Sequence, residues 1–285
     1  MQADLNRLRK TKLVVCDLDG TLLNDNGELG SDLVGIVKRL QNEFGVMFSI
    51  ATGRMHSSVA DYCNELGINI PVISLDGALI QDVSGTQKVF EAHIKKRHVQ
   101  KILKLASRYL IKASLCHADE IYYTEDNEPL LEISNKPGAK YTLVNDYSDY
   151  TSGVLEVFLA SDNEHYIKNI NNRLSFPYTL GVTSSCYRSM RNKGVYYLEA
   201  RKNGCTKKTG LFKLLRHLRT SQNKCVVVGD WYNDRPLFET KAYKVAMANA
   251  VSELKYLADY ETETDNNNHG AANFFELLLK AKMEK

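Results

Sequence analysis

The sequence predicts an α/β fold in which a parallel sheet is interrupted by an inserted module of a different character. Three observations lead to this prediction. Short apolar runs alternate with stretches of helical period through residues 13–75, which is typical of parallel strands joined by crossover helices. From about residue 82 to residue 194, strand-like stretches outnumber such crossovers. The alternation of strand and helix then returns.

Composition excludes several classes of protein. The chain has 285 residues, of which 44% are hydrophobic and 25% charged, as in globular proteins. A net charge of +3 with interspersed signs gives no indication of binding to nucleic acid or to a membrane surface. The polar first twelve residues lack the apolar segment of a signal peptide, and no apolar run approaches the length of a membrane span. We therefore expect a cytoplasmic protein with reduced cysteines that binds neither nucleic acid nor membranes.

The first predicted strand, residues 13–16, ends in Asp17-Leu18-Asp19-Gly20. This places two carboxylates at the carboxyl end of a strand, where parallel sheets hold their ligands. The pair favours phosphoryl transfer, in which one carboxylate attacks phosphorus and the other protonates the leaving oxygen and then activates water. Carboxylates that face a phosphate also need a cation, and oxygen ligands suit Mg²⁺. The structural alternative is a turn with solvated charges.

Two helices are predicted between the first three strands. The first begins at a Ser31 cap and ends at Gly45, and its inward-facing stripe is Leu33, Ile36, Val37 and Leu40. The second spans residues 56–66 and stops at Gly67, and its inward-facing residues are Val59, Cys63 and Leu66.

The second and third predicted strands, residues 46–51 and 71–75, end at the same edge as the first. A hydroxyl, a glycine and a guanidinium at a strand end can donate hydrogen bonds to a phosphate, although such a loop is also common without a ligand. The residues that follow these two strands are Thr52, Gly53, Arg54, Asp76 and Gly77.

The inserted module shows one helical stripe and several strand-like stretches. The stripe comprises Val99, Ile102, Leu103 and Leu110, and the stretches are residues 114–117, 121–124, 154–160 and 178–183. We expect the first domain to resume with a strand at residues 195–199.

The next helix begins with two lysines, Lys207 and Lys208. The helix dipole disfavours cations in a first turn, so their presence favours an anion at this helix start, with two solvated lysines as the alternative. The strand at residues 224–228 then ends in a second acidic cluster that contains Asp230 and Asp234. One of these carboxylates can reach a metal while the other holds a metal-bound water or the lysine. Two acidic strand ends in one sheet are hard to explain as solvated turns.

These motifs, in this order, resemble those of the haloacid dehalogenase superfamily of phosphohydrolases. They are Asp17-Leu18-Asp19-Gly20-Thr21-Leu22, Thr52-Gly53-Arg54, Lys207 and Gly229-Asp230-Trp231-Tyr232-Asn233-Asp234. The large insertion is similar to that of the Cof-type sugar-phosphatase group. The resemblance implies a Rossmann-like core of residues 1–82 and 194–285, and an α/β cap of residues 83–193 that determines substrate specificity.

The resemblance also implies the role of each site residue. Asp17 would be the nucleophile and a Mg²⁺ ligand, and Asp19 the general acid and base with its carbonyl on the metal. Thr52 and Lys207 would act on the phosphoryl oxygens. The other metal ligands would be Asp230 and Asp234, and the other phosphate or substrate contacts would be Leu18, Gly53, Arg54, Asp76, Gly77 and Asn233. The sequence departs from the group's pattern at Asp76, Lys208 and His269, where Asn, Gly and an acidic residue are usual.

We therefore expect a Mg²⁺-dependent phosphomonoester hydrolase that acts on a small phosphorylated metabolite, such as a sugar phosphate, through an aspartyl-phosphate. A phosphomutase is the alternative within enzymes, because related folds run that reaction, but the sequence shows no dedicated second phosphate clamp. A non-catalytic protein that binds a phosphorylated metabolite is the other alternative. It would be favoured by replacement of Asp17, Asp19 or Lys207, all of which are present.

Overall fold

The structure is a computed structural model that describes residues 3–124, 140–189 and 193–284. The chain divides into two compact units. The first comprises Met1–Arg54, Val59–Phe90 and Thr206–Lys285, and the second comprises Met55–Ser58 and Glu91–Cys205. Among the described residues, no helix combines the length and the apolar character needed to cross a membrane.

The described strands are numbered in chain order. They are β1 Leu13–Cys16, β2 Met47–Ile50, β3 Val72–Ser74, β4 Leu79–Gln81, β5 Lys88–Glu91, β6 Lys112–Cys116, β7 Ile121–Tyr123, β8 Tyr141–Leu143, β9 Glu156–Ser161, β10 Val182–Arg188, β11 Tyr196–Lys202, β12 Cys225–Gly229, β13 Tyr243–Ala246 and β14 Tyr260–Glu261.

The described α-helices are numbered in the same way. They are α1 Leu5–Arg9, α2 Ser31–Phe44, α3 Ala60–Leu66, α4 Lys96–Arg108, α5 Glu164–Leu174, α6 Lys207–His217, α7 Arg235–Phe238, α8 Ser252–Leu257 and α9 Gly270–Met283.

The first unit is built on a parallel sheet of strand order β14-β13-β12-β1-β2. Strands β1 and β12 are buried along their whole length, as expected where helices cover both faces of a parallel sheet. From β1 the chain crosses to β2 on one side, and it later returns to β12 on the other. The strand order therefore reverses between β1 and β12, the position at which such sheets bind ligands. The predicted α/β fold with a parallel core is confirmed.

Helices of the first unit form where the apolar stripes predict them, with small differences at their ends. Helix α2 packs against α9, which also packs against α1. The N-cap of α2 is Gly30 rather than Ser31. Ser31 is the first helical residue, and the helix start has no side-chain capping hydrogen bond. Gly45 and Gly67 end α2 and α3 with positive φ, as predicted. The predicted second helix is divided, because a 3₁₀ turn at His56–Ser58 precedes α3.

The third predicted strand differs from the expectation in its pairing. Strand β3 continues the parallel arrangement through a single bridge between Ala51 and Ile73. Its main partner is β4, with which it is antiparallel, in a small sheet of order β3-β4-β5. The turn between them contains the left-handed residues Leu75 and Asp76, which reverse the chain at the end of β3.

The second unit has a mixed six-stranded sheet of order β10-β11-β9-β6-β7-β8. Helices α4 and α5 pack against β9 and against each other. The core beneath them is aliphatic and includes Val99, Ile102, Leu115, Val157 and Leu159. A unit with more strands than crossover helices agrees with the character predicted for the inserted module.

Three details predicted in this region are wrong. The strand expected at residues 195–199 in the first domain is β11, which pairs with β9 and β10 in the second unit. The strand expected at residues 178–183 begins only at Val182, because the preceding segment turns through Gly181 with φ 95°. Leu110 is 92% exposed, since α4 ends before it and its φ of 52° is left-handed. The domain boundaries predicted after residues 82 and 193 stay a prediction.

Candidate active site

The ends of β1 and β12 and the start of α6 bring three predicted site residues together at the reversal of strand order. The Lys207 ammonium nitrogen lies 2.6 Å from Asp17 Oδ1 and 2.6 Å from Asp234 Oδ1. The Lys207 side chain is 0% exposed. A fully buried ammonium between two carboxylates is an ion-paired centre, and removal of the lysine would leave both carboxylates without their counter-charge.

Local sequence explains how Lys207 reaches this position. It is the first residue of α6, whose start is fixed by a capping box between Thr206 and Thr209. A Cβ atom on Gly77 would lie 2.4 Å from the Thr206 carbonyl oxygen, so glycine alone lets the loop after β3 approach the helix start this closely. Lys208 points away and pairs with Glu239 at 3.1 Å. The predicted lysine is therefore the inward-facing one.

Asp234 is held in place by both of its oxygens. While Oδ1 pairs with Lys207, Oδ2 accepts the backbone N–H groups of Asp230 and Trp231 at 3.0 and 3.2 Å. A Cβ atom on Gly229 would lie 2.6 Å from this carboxyl group, so the end of β12 needs glycine. Asp234 thus ties the turn after β12 to the lysine.

Asp230 is positioned by the loop after β1. Its Oδ1 accepts a hydrogen bond of 2.9 Å from the Thr21 hydroxyl. Gly20 has φ 75°, and a Cβ atom there would lie 2.5 Å from Asp230 Oδ2. Sequence reasoning quoted Thr21 within the first motif but gave it no role. The available signal was a threonine hydroxyl two residues after the second carboxylate of the acidic pair.

The carboxylates of Asp17, Asp230 and Asp234 offer oxygen atoms within 4.8 Å of one another. Burial, together with repulsion from Asp234, raises the pKa of Asp230 to about 7. Burial also raises the pKa of Asp17 well above its usual range, because the attraction of Lys207 does not offset burial and the repulsion of Asp234 and Asp230. The cluster is short of positive charge and presents only oxygen, and it could therefore hold a hard divalent cation.

The pKa of Lys207 is raised rather than lowered. Burial alone would lower it, but the carboxylates of Asp17 and Asp234 outweigh this effect, and Asp76 adds to them. Lys207 therefore stays protonated and supplies a permanent positive charge at the strand ends.

Asp19 and Arg54 form a separate ion pair. The Arg54 guanidinium donates through Nε and Nη2 to the two carboxylate oxygens of Asp19. The Arg54 side chain is 8% exposed and lies over the Tyr62 ring, whereas that of Asp19 is 50% exposed. The structure thus places the Asp19 carboxylate outside the three-carboxylate cluster. Thr52 is buried, and its hydroxyl oxygen accepts the Arg54 backbone N–H at 3.1 Å.

The remaining predicted contacts lie around the loop after β3. Asn233 Nδ2 donates to Asp76 Oδ1 at 3.2 Å. A Cβ atom on Gly53 would lie 3.5 Å from the same oxygen, which puts residues from three strand ends side by side. Leu18 is fully buried and its carbonyl accepts the N–H groups of Leu22 and Leu23, so it closes the turn after β1.

Two asparagines brace the loop after β1. Asn249 Nδ2 donates to the Gly20 carbonyl at 2.8 Å, and its Oδ1 accepts the Asn266 backbone N–H at 3.2 Å. Asn266 in turn donates to the Leu23 carbonyl at 3.0 Å. Sequence reasoning assigned no role to either residue. The short asparagine run at residues 266–268 was a local signal for Asn266.

Comparisons with known proteins find a matching family and similar proteins. The family description haloacid dehalogenase-like hydrolase matches residues 14–275. The phosphatase YwpJ of Bacillus subtilis is 26% identical over 288 residues, which cover 94% of this chain and 100% of that protein. The 5-amino-6-(5-phospho-D-ribitylamino)uracil phosphatase YitU of the same organism is 24% identical over 270 residues, covering 93% and 96%.

A solved structure shows the same fold. A haloacid dehalogenase-like hydrolase from Bacteroides thetaiotaomicron matches with a TM-score of 0.83 and 24% identity. The match covers 93% of this chain and 98% of that one.

Proposed function

This chain belongs to the family of haloacid dehalogenase-like hydrolases, and we propose that it removes phosphate from small phosphorylated metabolites with the help of Mg²⁺. The match over residues 14–275 confirms the predicted family and the predicted hydrolase. The observation that carries the proposal is the buried Lys207 between Asp17 and Asp234, beside the further carboxylate of Asp230. The printed names of YwpJ and YitU, both phosphatases, support it.

We assign the covalent step to Asp17. A carboxylate oxygen of Asp17 attacks phosphorus, and the bond from phosphorus to the ester oxygen breaks as the aspartyl-phosphate forms. Lys207, whose ammonium touches Asp17, binds the phosphoryl oxygens as this happens. Water then attacks phosphorus, the bond to Asp17 breaks, and inorganic phosphate leaves with the carboxylate restored.

Asp19 serves both steps as the proton carrier. It donates a proton to the leaving ester oxygen in the first step and takes a proton from water in the second. Both oxygens of its carboxylate are paired with Arg54, and half of the side chain is exposed. Asp19 must therefore turn away from Arg54 before it can reach the ester oxygen. Arg54 thus holds Asp19 as a carboxylate in a waiting position, and the proton that Asp19 gives to the ester oxygen is taken up from solvent once it has turned away.

Phosphoryl oxygens are held by donors from three strand ends. The Thr52 hydroxyl accepts from the Arg54 backbone, which leaves its own proton for a phosphoryl oxygen. Backbone groups near Leu18 and Gly53 and the amide of Asn233 lie at the same edge of the unit. These donors recognise phosphate in any ester, so they do not discriminate between leaving groups, and we assign that role to other residues.

The metal requirement follows from the donor set. When bound, Mg²⁺ would neutralise the carboxylates and draw negative charge from the phosphoryl oxygens. The side chains of Asp17 and Asp230 and the carbonyl of Asp19 would hold it. Asp234 would contribute through Lys207 and the turn after β12, since both its oxygens are engaged there.

The test is release of phosphate from a panel of phosphorylated metabolites and p-nitrophenyl phosphate, with and without Mg²⁺. A chelator should abolish turnover and Mg²⁺ should restore it, whereas Ca²⁺ should bind but support turnover poorly because its coordination is larger and looser. Asp17→Asn should lose about a thousandfold or more in kcat. Its melting temperature without metal should be no lower than the parent's, because one of the clustered carboxylates is neutralised.

The matched control is Asp61→Asn, an exposed residue of α3 that changes the net charge of the protein equally. It should keep the parent's turnover. Full activity in a chelator, or an Asp17→Asn enzyme within about tenfold of the parent, would contradict the proposed mechanism.

A further inference from the structure

We infer that Asp76 sets the class of ester that this site accepts. Its negative charge disfavours leaving groups that carry a second anion close to the ester oxygen, and it favours neutral or cationic alcohols. The inference rests on the proposed function, because it names the substrate class of the same site.

Asp76 stands among the groups proposed to hold the phosphoryl group. It is 8% exposed, its Oδ1 accepts from Asn233 at 3.2 Å, and both oxygens lie within 3.6 Å of a Cβ position on Gly53. It is also close enough to Lys207 to add to the rise in the pKa of that lysine. Its charge therefore acts on the phosphate site and on the first atoms of any leaving group attached to it.

The backbone does not require a carboxylate at this position. Asp76 has φ 46° and ψ 38°, in the left-handed region that asparagine and glycine also adopt. An asparagine could accept the same hydrogen bond from Asn233 through its own Oδ1. The property that aspartate adds over asparagine is its negative charge.

The balance of charge at this edge indicates how the negative charge of Asp76 affects a substrate. Among the described site residues, five carboxyl groups share two cations, Lys207 and Arg54, and each cation is already paired with carboxylate. The carboxylates are Asp17, Asp19, Asp76, Asp230 and Asp234. A divalent metal and Lys207 can accommodate one phosphoryl dianion. A second anion on the substrate would then meet a net negative edge, where partial burial weakens screening by salt.

The experiment uses three esters that differ in charge two carbons from the ester oxygen. These are 2-aminoethyl phosphate, 2-hydroxyethyl phosphate and phosphoglycolate, assayed with saturating Mg²⁺ at about pH 8, where the phosphoryl group is a dianion because its second pKa is about 6. The parent should prefer them in that order. In Asp76→Asn, kcat/KM for phosphoglycolate relative to 2-hydroxyethyl phosphate should rise about tenfold, and that for 2-aminoethyl phosphate should fall.

Asp61→Asn, with the same change in net charge at an exposed site, should keep the parent's ratios. If Asp76→Asn shifts all three esters by one common factor, Asp76 acts only by positioning Asn233 and the inference is overturned. Should Asp76→Asn fail to fold, Asp76→Gly replaces it, since glycine suits the left-handed backbone.

A parent enzyme that hydrolyses none of the esters and no p-nitrophenyl phosphate would contradict the proposed function instead. Calorimetry with phosphoglycolate and 2-hydroxyethyl phosphate then decides the inference alone. A ratio of Kd values that shifts toward phosphoglycolate in Asp76→Asn supports it, and an unchanged ratio overturns it.

Discussion

Each unit of this protein contains a buried cation between two carboxylates, and the two clusters are assembled in different ways. In the first unit, Lys207 joins Asp17 to Asp234 at the ends of strands. In the second unit, Arg201 joins Glu156 to Glu199 on a sheet face, with its side chain 11% exposed. The first cluster draws on segments that are far apart in sequence, whereas the second is made by neighbours in strand register.

Strand register explains why the second cluster is self-contained. Arg201 and Glu156 are directly opposite each other on β11 and β9, and Glu199 lies two residues before Arg201 on the same strand face. The Tyr187 hydroxyl donates to Glu199 at 2.6 Å, which gives that carboxylate a further partner. In the first unit, by contrast, Asp230 remains in excess with its pKa raised to about 7. The comparison teaches that a loop-borne carboxylate left outside the ion pairs points to a ligand, whereas carboxylates that all contact one cation across paired strands point to structure.

Replacing the two neighbouring lysines of α6 would test this comparison with the largest effect. Lys207→Met should lower kcat by about a thousandfold or more, because the phosphoryl group loses its buried positive charge. It should also lower the free energy of unfolding by about 3 kcal/mol, because Asp17 and Asp234 lose their counter-charge. Phosphate release and thermal unfolding measure the two effects.

Lys208→Met is the matched control, since it removes the same charge one residue away. Its pair with Glu239 is at the surface and should contribute under about 1 kcal/mol, with turnover unchanged. Equal losses in both variants would show that the helix start needs positive charge in general, and would remove Lys207 from the site.

Arg201→Met should separate stability from chemistry. It leaves the buried Glu156 without its opposite charge, so we expect a loss of about 2–4 kcal/mol in the free energy of unfolding. At a temperature where the variant is folded, kcat for p-nitrophenyl phosphate should stay within about threefold of the parent, since the cluster belongs to a sheet face. A large fall in kcat with unchanged stability would place this cluster in the chemistry and break the comparison.

The first cluster could be anticipated from sequence and the second could not. Apolar runs that end in Asp17 and Asp230 predict strand ends, and parallel strand ends share one edge, so their convergence follows without knowledge of pairing. Arg201 and Glu156 meet only because β11 pairs with β9, and nothing local states that partner. For the same reason, sequence reasoning placed the strand at residues 195–199 in the wrong unit.

Local geometry accounts for most of the remaining differences. The stripe that predicts an inward Leu110 assumes that the helix continues, but α4 ends at Arg108 and the period ceases to apply. Thr21 and Asn249 were missed because their roles arise from hydrogen bonds to Asp230 and Gly20 across more than two hundred residues of sequence. Such contacts become visible only when the strand ends are placed in space.

The smallest expected effect concerns Glu120, a carboxylate of the second unit that has several hydrogen-bond and charge partners. Its oxygens accept from the Tyr122 hydroxyl at 2.8 Å and from the Thr142 hydroxyl, and its carboxylate pairs with Lys140 at 2.8 Å. These hydrogen bonds, with Lys140 first, lower the pKa of Glu120 to about 2. A carboxyl group with a lowered folded pKa stabilises the protein above its unfolded pKa of about 4.3, and this contribution is lost as the pH falls toward 2.

Glu120→Gln should therefore lower the free energy of unfolding at neutral pH by less than about 1 kcal/mol, with a slightly lower melting temperature. The loss is small because the Lys140 side chain is largely exposed and the pair is screened. The gap between variant and parent should narrow as the pH falls below about 4 and close below about pH 2, where Glu120 becomes protonated in the folded protein. Melting curves of parent and variant across this range measure it, and phosphate release at neutral pH should not change. A difference in stability that stays constant with pH would mean that Glu120 contributes through packing and neutral hydrogen bonds. Its pair with Lys140 would then give no net ionic stabilisation.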